Sequence, residues 1–138
     1  MPSLGAVADA RAYVQRHEGT ARISFAVIDT RGRLFSRGGS RVHESASQTK
    51  AMLLVAYLRR LGRRPVPRAM RPILGAMIRR SDNGAAHRVR ALVGDPGLAA
   101  VGRAARMRHL ELNGTWSDVG ITAVDQARFF LRFDRLCP

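Results

Sequence analysis

Residues 51–58 read Ala-Met-Leu-Leu-Val-Ala-Tyr-Leu, a stretch with no charged side chain on any face. A helix over such a stretch is apolar all round, so it has to be enclosed by other elements and cannot lie on a surface. Its ends are marked. Ser47-Gln48-Thr49-Lys50 precede it, Arg59 and Arg60 suit the negative end of a helix dipole, Gly62 suits a C-terminal cap, and Pro65 and Pro67 suit a connecting loop. The material to enclose it follows. Pro72 to Arg80 reads as a short helix with Pro in its first turn. Ala85 to Val93 is a second, closed by Gly94-Asp95-Pro96, and Gly97 to Met107 a third. Residues His109 to Gly120 are irregular, and Thr122 to Arg135 is an amphipathic helix with Thr122 as cap and Asp125 three residues on.

The part before Ser47 has a different period. Ala6 to His17 carries apolar residues at helical spacing. Arg22 to Asp29 (RISFAVID) reads as a strand, Thr30-Arg31-Gly32-Arg33 as a turn, and Leu34 to Gly38 as the returning strand of a hairpin. The expected fold class is therefore α+β, of α/β sandwich type. Residues 1–41 supply a helix and a β-hairpin of a sheet region, and residues 42–138 supply a helical region. With 138 residues the chain has enough material for one modest domain and too little for two. At 46% apolar residues it can build a core, which excludes wholesale disorder.

The formal charge of +14 raises nucleic acid or an anionic polymer as a partner, read as a basic binding module. The arginines, however, occur in every region, with pairs at the ends of elements and no basic stripe interleaved with aromatics, so no nucleic acid partner is expected. The lone cysteine, Cys137, forms no internal disulfide. No apolar run approaches the roughly 20 residues that span a bilayer, and Met1 to Asp9 lacks the basic and apolar regions of a signal peptide.

Of the 24 basic residues only Lys50 is a lysine. Arginine serves wherever a permanent positive charge is wanted, but it does not give up its proton, whereas a desolvated lysine does. Lys50 lies three residues after Ser47, a spacing that puts amine and hydroxyl on one helix face. The first turn of a helix favours developing negative charge, and an apolar helix body favours the neutral amine that a base requires. Ser47 also reads simply as a helix cap. About thirty residues further on, Ser81-Asp82-Asn83 falls at a break between helices. A hydroxyl there can shuttle a proton, and an amide can hold a carbonyl or orient the lysine. Ser81 or Asp82 also reads as the cap of the following helix.

Taken together, SQTK at 47–50, SDN at 81–83 and the preceding hairpin RISFAVIDTRGRLFSRG resemble the penicillin-recognising serine hydrolases, in particular class A β-lactamase-like proteins. GDPGLAAVGRAARM looks like the helix after the second motif, and TAVDQARFFLRF like the helix after the ω-loop. The resemblance implies an acyl-enzyme mechanism on a β-lactam, peptide or ester, with a small-molecule or peptidoglycan-like acyl substrate. Ser47 would be the nucleophile, Lys50 its general base, Ser81 a proton relay, Asn83 a contact to substrate and lysine, and Asp82 a structural hydrogen-bonding group. It implies no metal and no other cofactor, and an extracytoplasmic setting.

Two departures stand out. The family's third motif, K-T-G or K-S-G on an edge strand, does not occur, so the expectation is a partial domain that stops before it, inactive by itself. In the ω-loop, Glu111-Leu112-Asn113 mimics the end of the family's motif, but His109 stands where the deacylating Glu belongs. Glu111 reads as either a displaced base or a solvated carboxylate, and Trp116 as a loop-packing anchor.

Overall fold

The computed structural model describes residues 4–138. The chain opens with α1 (Leu4–His17), followed by the hairpin β1 (Phe25–Ile28) and β2 (Leu34–Arg37). The hairpin register pairs Phe25 with Arg37 and Ile28 with Leu34. Its turn is held by Asp29, a residue with no role in the sequence reading. The carboxylate accepts the N–H groups of Arg31 and Arg33, both at 2.9 Å, and the Arg33 guanidinium at 2.6 Å. That guanidinium, with the turn N–H groups, keeps the carboxyl below its ordinary range despite the opposing effect of burial. Gly32 takes φ 82°, the left-handed conformation the turn requires.

The apolar stretch forms α2 (Thr49–Leu61), with Met52, Leu53 and Val55 fully enclosed. It is surrounded as its composition demands. Helices α3 (Met70–Arg79) and α4 (Asn83–Ala104) pack against it, and Met77, Ala86, Val89, Leu98, Val101 and Phe129 complete one core. The two helices read from sequence on either side of Gly94 are joined into α4 across a kink where Gly94 takes φ 63°, with Pro96 just beyond. The final helix is also interrupted: α5 (Ala123–Leu131) and the short α6 (Phe133–Leu136) meet at Arg132. Helix α5 packs on β1, and α1 packs on β2.

Three short strands inside residues 42–138 were absent from the sequence reading. These are β3 (Val42–Glu44), β4 (Leu110–Glu111) and β5 (Gly120–Thr122), joined in the order β3-β5-β4, antiparallel throughout. They give the irregular stretch after His109 an anchor.

Candidate active site

The three-stranded sheet sets the position of Ser47. Beyond the Glu44–Gly120 pair, the ladder continues as the Ser45 N–H donating to the Val119 carbonyl (2.8 Å) and the Ala46 N–H to that of Ser117 (3.0 Å). The chain then turns through Ala46, held at φ 44°, into a single 3-10 turn over Ala46–Gln48, and α2 starts at Thr49. Buried Ser45 and Thr49 hydroxyls are hydrogen-bonded across this turn. Ser47 is thereby presented to solvent at the mouth of a buried helix, and its N–H has no acceptor among the described residues.

Lys50 lies one turn below and is only 3% exposed. Its Nζ lies at hydrogen-bonding distance from Ser47 Oγ (3.0 Å), the Ser81 carbonyl (2.6 Å), Ser81 Oγ (2.8 Å) and Asn83 Oδ1 (2.8 Å). The Ser81 hydroxyl donates to Ser47 Oγ at 3.0 Å, closing a triangle of two hydroxyls and one amine. No carboxylate forms an ion pair with Lys50 among the described residues. Its Nζ also lies over the face of Trp116, 4.6 Å from the ring centroid.

The second motif is delivered by the break between α3 and α4. Ser81 takes φ 53°, which turns both its carbonyl and its hydroxyl toward the amine. Asp82 is the N-cap of α4, accepting the Ala85 N–H at 2.6 Å. The cap and the site are therefore one turn of chain: Asp82 starts the helix, and its neighbours on both sides reach Lys50.

Each sequence-predicted site residue (Ser47, Lys50, Ser81 and Asn83) falls in this cluster. Trp116 does anchor its loop, being 5% exposed and edge-on to His87 at 5.7 Å, but it also forms the floor beneath the lysine, which sequence reasoning missed. Glu111 and His109 lie apart from the cluster. Glu111 is an exposed residue of β4 and lines a separate cleft with Arg22, Glu44, Asn113 and Asp118. His109 sits beside Asp125, with Nδ1 3.4 Å from the carboxylate, and donates its backbone N–H to it at 2.9 Å.

Asp125 is the buried hub of this region. It accepts from the N–H groups of Arg108 and His109, from the Thr122 hydroxyl and from the Arg128 guanidinium at 2.7 Å. Burial alone would push its carboxyl up. The donors, led by Arg108 N–H and Arg128, outweigh that and hold it below the ordinary value. This lock ties the β4 approach to α5 and so steadies the sheet on which the Ser47 turn hangs.

These elements define a β-lactamase-like fold. A β-lactamase from Desulfarculus baarsii DSM 2075 superimposes at a TM-score of 0.75 with 18% identity, covering 99% of this chain and 65% of its own. A β-lactamase from Sphaerobacter thermophilus DSM 20745 does so at 0.75 with 19% identity, covering 94% and 62%. The chain thus spans less than two thirds of the length of the solved structures it matches. No family model matches it, and no curated protein does. Among the described residues no helix is long and apolar enough to cross a membrane.

Proposed function

We propose that the cluster is the acylation site of a serine hydrolase acting on a β-lactam, peptide or ester. The observation that carries the reading is the closed triangle in which Ser47 Oγ, Lys50 Nζ and Ser81 Oγ stand 2.8–3.0 Å apart. Four acceptors surround Nζ, one more than the three protons of an ammonium can satisfy. A neutral amine likewise makes three of the four contacts. Its two protons go to the Ser81 carbonyl and Asn83 Oδ1, and its lone pair accepts the Ser47 proton.

In the proposed step Lys50 takes that proton as Ser47 Oγ bonds to the substrate carbonyl carbon. The carbonyl oxygen, now negative, is met by the unengaged Ser47 N–H. The bond from carbon to the leaving nitrogen or oxygen then breaks, and the Lys50 proton passes through the Ser81 hydroxyl to that atom. Asn83, with Nδ2 not engaged by the lysine, can hold a substrate carbonyl. The product is an ester on Ser47. Its hydrolysis is expected to be slow, because the resemblance puts His109 at the sequence position of the deacylating carboxylate and Glu111 lines another cleft. Incubation with a fluorescent penicillin followed by intact-mass and peptide mapping tests the reading. A covalent adduct on Ser47, absent from Ser47→Ala, supports it. Labelling elsewhere, or none after prolonged incubation, rejects it.

A further inference from the structure

Building on Ser47 as the acylated residue, we infer that Trp116 decides the fate of the Ser47 ester: its ring closes Lys50 to water, so the acyl group is retained where an open lysine would pass it on to water. Among the described residues the amine has four polar neighbours at 2.6–3.0 Å, namely Ser47 Oγ, the Ser81 carbonyl and hydroxyl, and Asn83 Oδ1. The indole face covers it from a further direction, 4.6 Å from Nζ to the ring centroid. Lys50 is left 3% exposed, although Ser47 and Ser81 beside it are both exposed. The nucleophile is open and its base is closed. The ring is also held in place. Trp116 is itself 5% exposed. The carbonyls of Ser117 and Val119 accept the N–H groups of Ala46 and Ser45, which laces the Trp116 loop to the turn that presents Ser47. On its other side the indole meets His87 at a centroid distance of 5.7 Å. Asn83 and His87 lie four residues apart on α4, so one face of that helix reaches both the amine and the ring that covers it.

The closure bears on the two halves of the reaction unequally. In acylation the proton comes from Ser47 Oγ, which already lies 3.0 Å from the amine, so Lys50 needs no access to solvent. Hydrolysis of the ester by the same base needs a water against it. The water oxygen would bond to the ester carbonyl carbon and its proton would go to neutral Nζ. That proton would then pass to Ser47 Oγ as the bond from carbon to Oγ breaks. A water beside Nζ requires room and polar partners of its own. On the side it covers, the indole supplies neither. Its face is apolar, and its one polar atom, Nε1, can only donate and is buried without a hydrogen-bond partner. Trp116 is thus a positioning residue that acts through Lys50: it leaves the base usable for the serine proton and unusable for that of water.

The test follows the Ser47 adduct in the whole chain. Wild type, Trp116→Phe and Trp116→Ala are labelled with a fluorescent penicillin and freed of excess reagent, and the adduct mass and the hydrolysed penicillin released are followed over time. Phenylalanine keeps a ring face without the N–H, so that variant should hold the ester as the wild type does. Alanine uncovers the amine and should shorten the adduct's half-life by about tenfold or more, within the worth of a general base, while changing the acylation rate far less. Trp116→Val, too short to cover the amine but apolar enough to pack the loop, stands beside it in case thermal melts show that the alanine variant does not fold. Lys50 is the only lysine, so its acetylation by an amine-directed reagent, read by peptide mapping, reports access to Nζ without any chemistry at Ser47. It should be slow in wild type and Trp116→Phe and faster in the alanine and valine variants. An adduct retained equally by every variant, or Lys50 acetylated equally fast in all, overturns the inference and leaves the acylation site standing. Loss of acylation in the alanine and valine variants overturns it too, because the ring would then be needed to place the amine. Absence of any Ser47 adduct in the wild type rejects the acylation site itself, and the inference with it.

Discussion

Ala46 and Ser81 hold left-handed backbone conformations, with φ 44° and 53°. Non-glycine residues there cost of order 1–3 kcal/mol each and persist where surrounding contacts enforce them. One lies next to Ser47 and the other is Ser81 itself, so both deviations turn toward Lys50 the hydroxyls proposed as nucleophile and relay. Nothing in the residue types Ala and Ser signals this. Lys50 itself was legible, as the single lysine among arginines at the right offset from a serine, but its seat on Trp116 was not, because that contact is made by the fold and by no local pattern. Lys50→Met should therefore slow penicillin labelling of Ser47 by about 10²–10⁴-fold, the usual worth of a general base. Lys50→Arg should be no better, since it restores charge without a proton acceptor. Time courses of labelling by intact mass, alongside thermal melts to confirm folding, check both; recovery of labelling in the arginine variant would show that charge suffices.

At the scale of elements, the helices and the hairpin could be read because each carries several periods of its own pattern and turn chemistry at its ends. Strands β3, β4 and β5 have two or three residues each, too few to show any alternation, and they exist because the chain brings them together. Their presence is what places the Ser47 turn, so the sequence revealed the site's residues without revealing what holds them.

Two predictions belong here. Asp125→Asn keeps the shape but removes a buried charge from four donors, and should cost about 3 kcal/mol in denaturant unfolding. The wild-type carboxyl titrates lower in the folded chain than unfolded, so its contribution is complete above the ordinary value of 3.8 and is lost as pH falls below it through the folded value. The asparagine variant should lack that acid-side dependence.

Gly39→Ala is the second. A Cβ there would lie 2.7 Å from Ser36 Cβ and 2.8 Å from Val124 Cγ2, where the end of the hairpin abuts α5. Overpacking of that kind should cost about 1–3 kcal/mol. A melt unchanged from wild type would mean that hairpin and α5 are not held together as tightly as the Gly39 carbonyl bonded to Val124 N–H at 3.0 Å implies.

For the molecule as a whole, the groups proposed to acylate are present without the third motif that the resemblance implies. The resemblance assigns a second oxyanion donor to a strand bearing K-[ST]-G, and Lys50, the only lysine, belongs to another motif, so these 138 residues do not contain it. Removing one oxyanion donor typically costs about a hundred- to a thousand-fold in rate. The two-stranded hairpin is also a small sheet, and an isolated one is marginal in water without cover. Here α5 packs on β1 and α1 on β2, while among the described residues β1 has a strand partner on one edge only, and an unpaired edge invites association. The 138 residues on their own should therefore acylate about a hundred- to a thousand-fold more slowly than a site with both donors. They should retain whatever adduct forms, and self-associate weakly through the hairpin edge as concentration rises. Adduct mass followed over time, then after removal of free penicillin, reads the first two, and sedimentation at several concentrations reads the third. Rapid multiple turnover would mean that a donor and a deacylating base lie within these residues after all, and would move attention back to Glu111. Slow, persistent labelling of Ser47 would instead show that the triangle of Ser47, Lys50 and Ser81 is competent for acylation without the second donor.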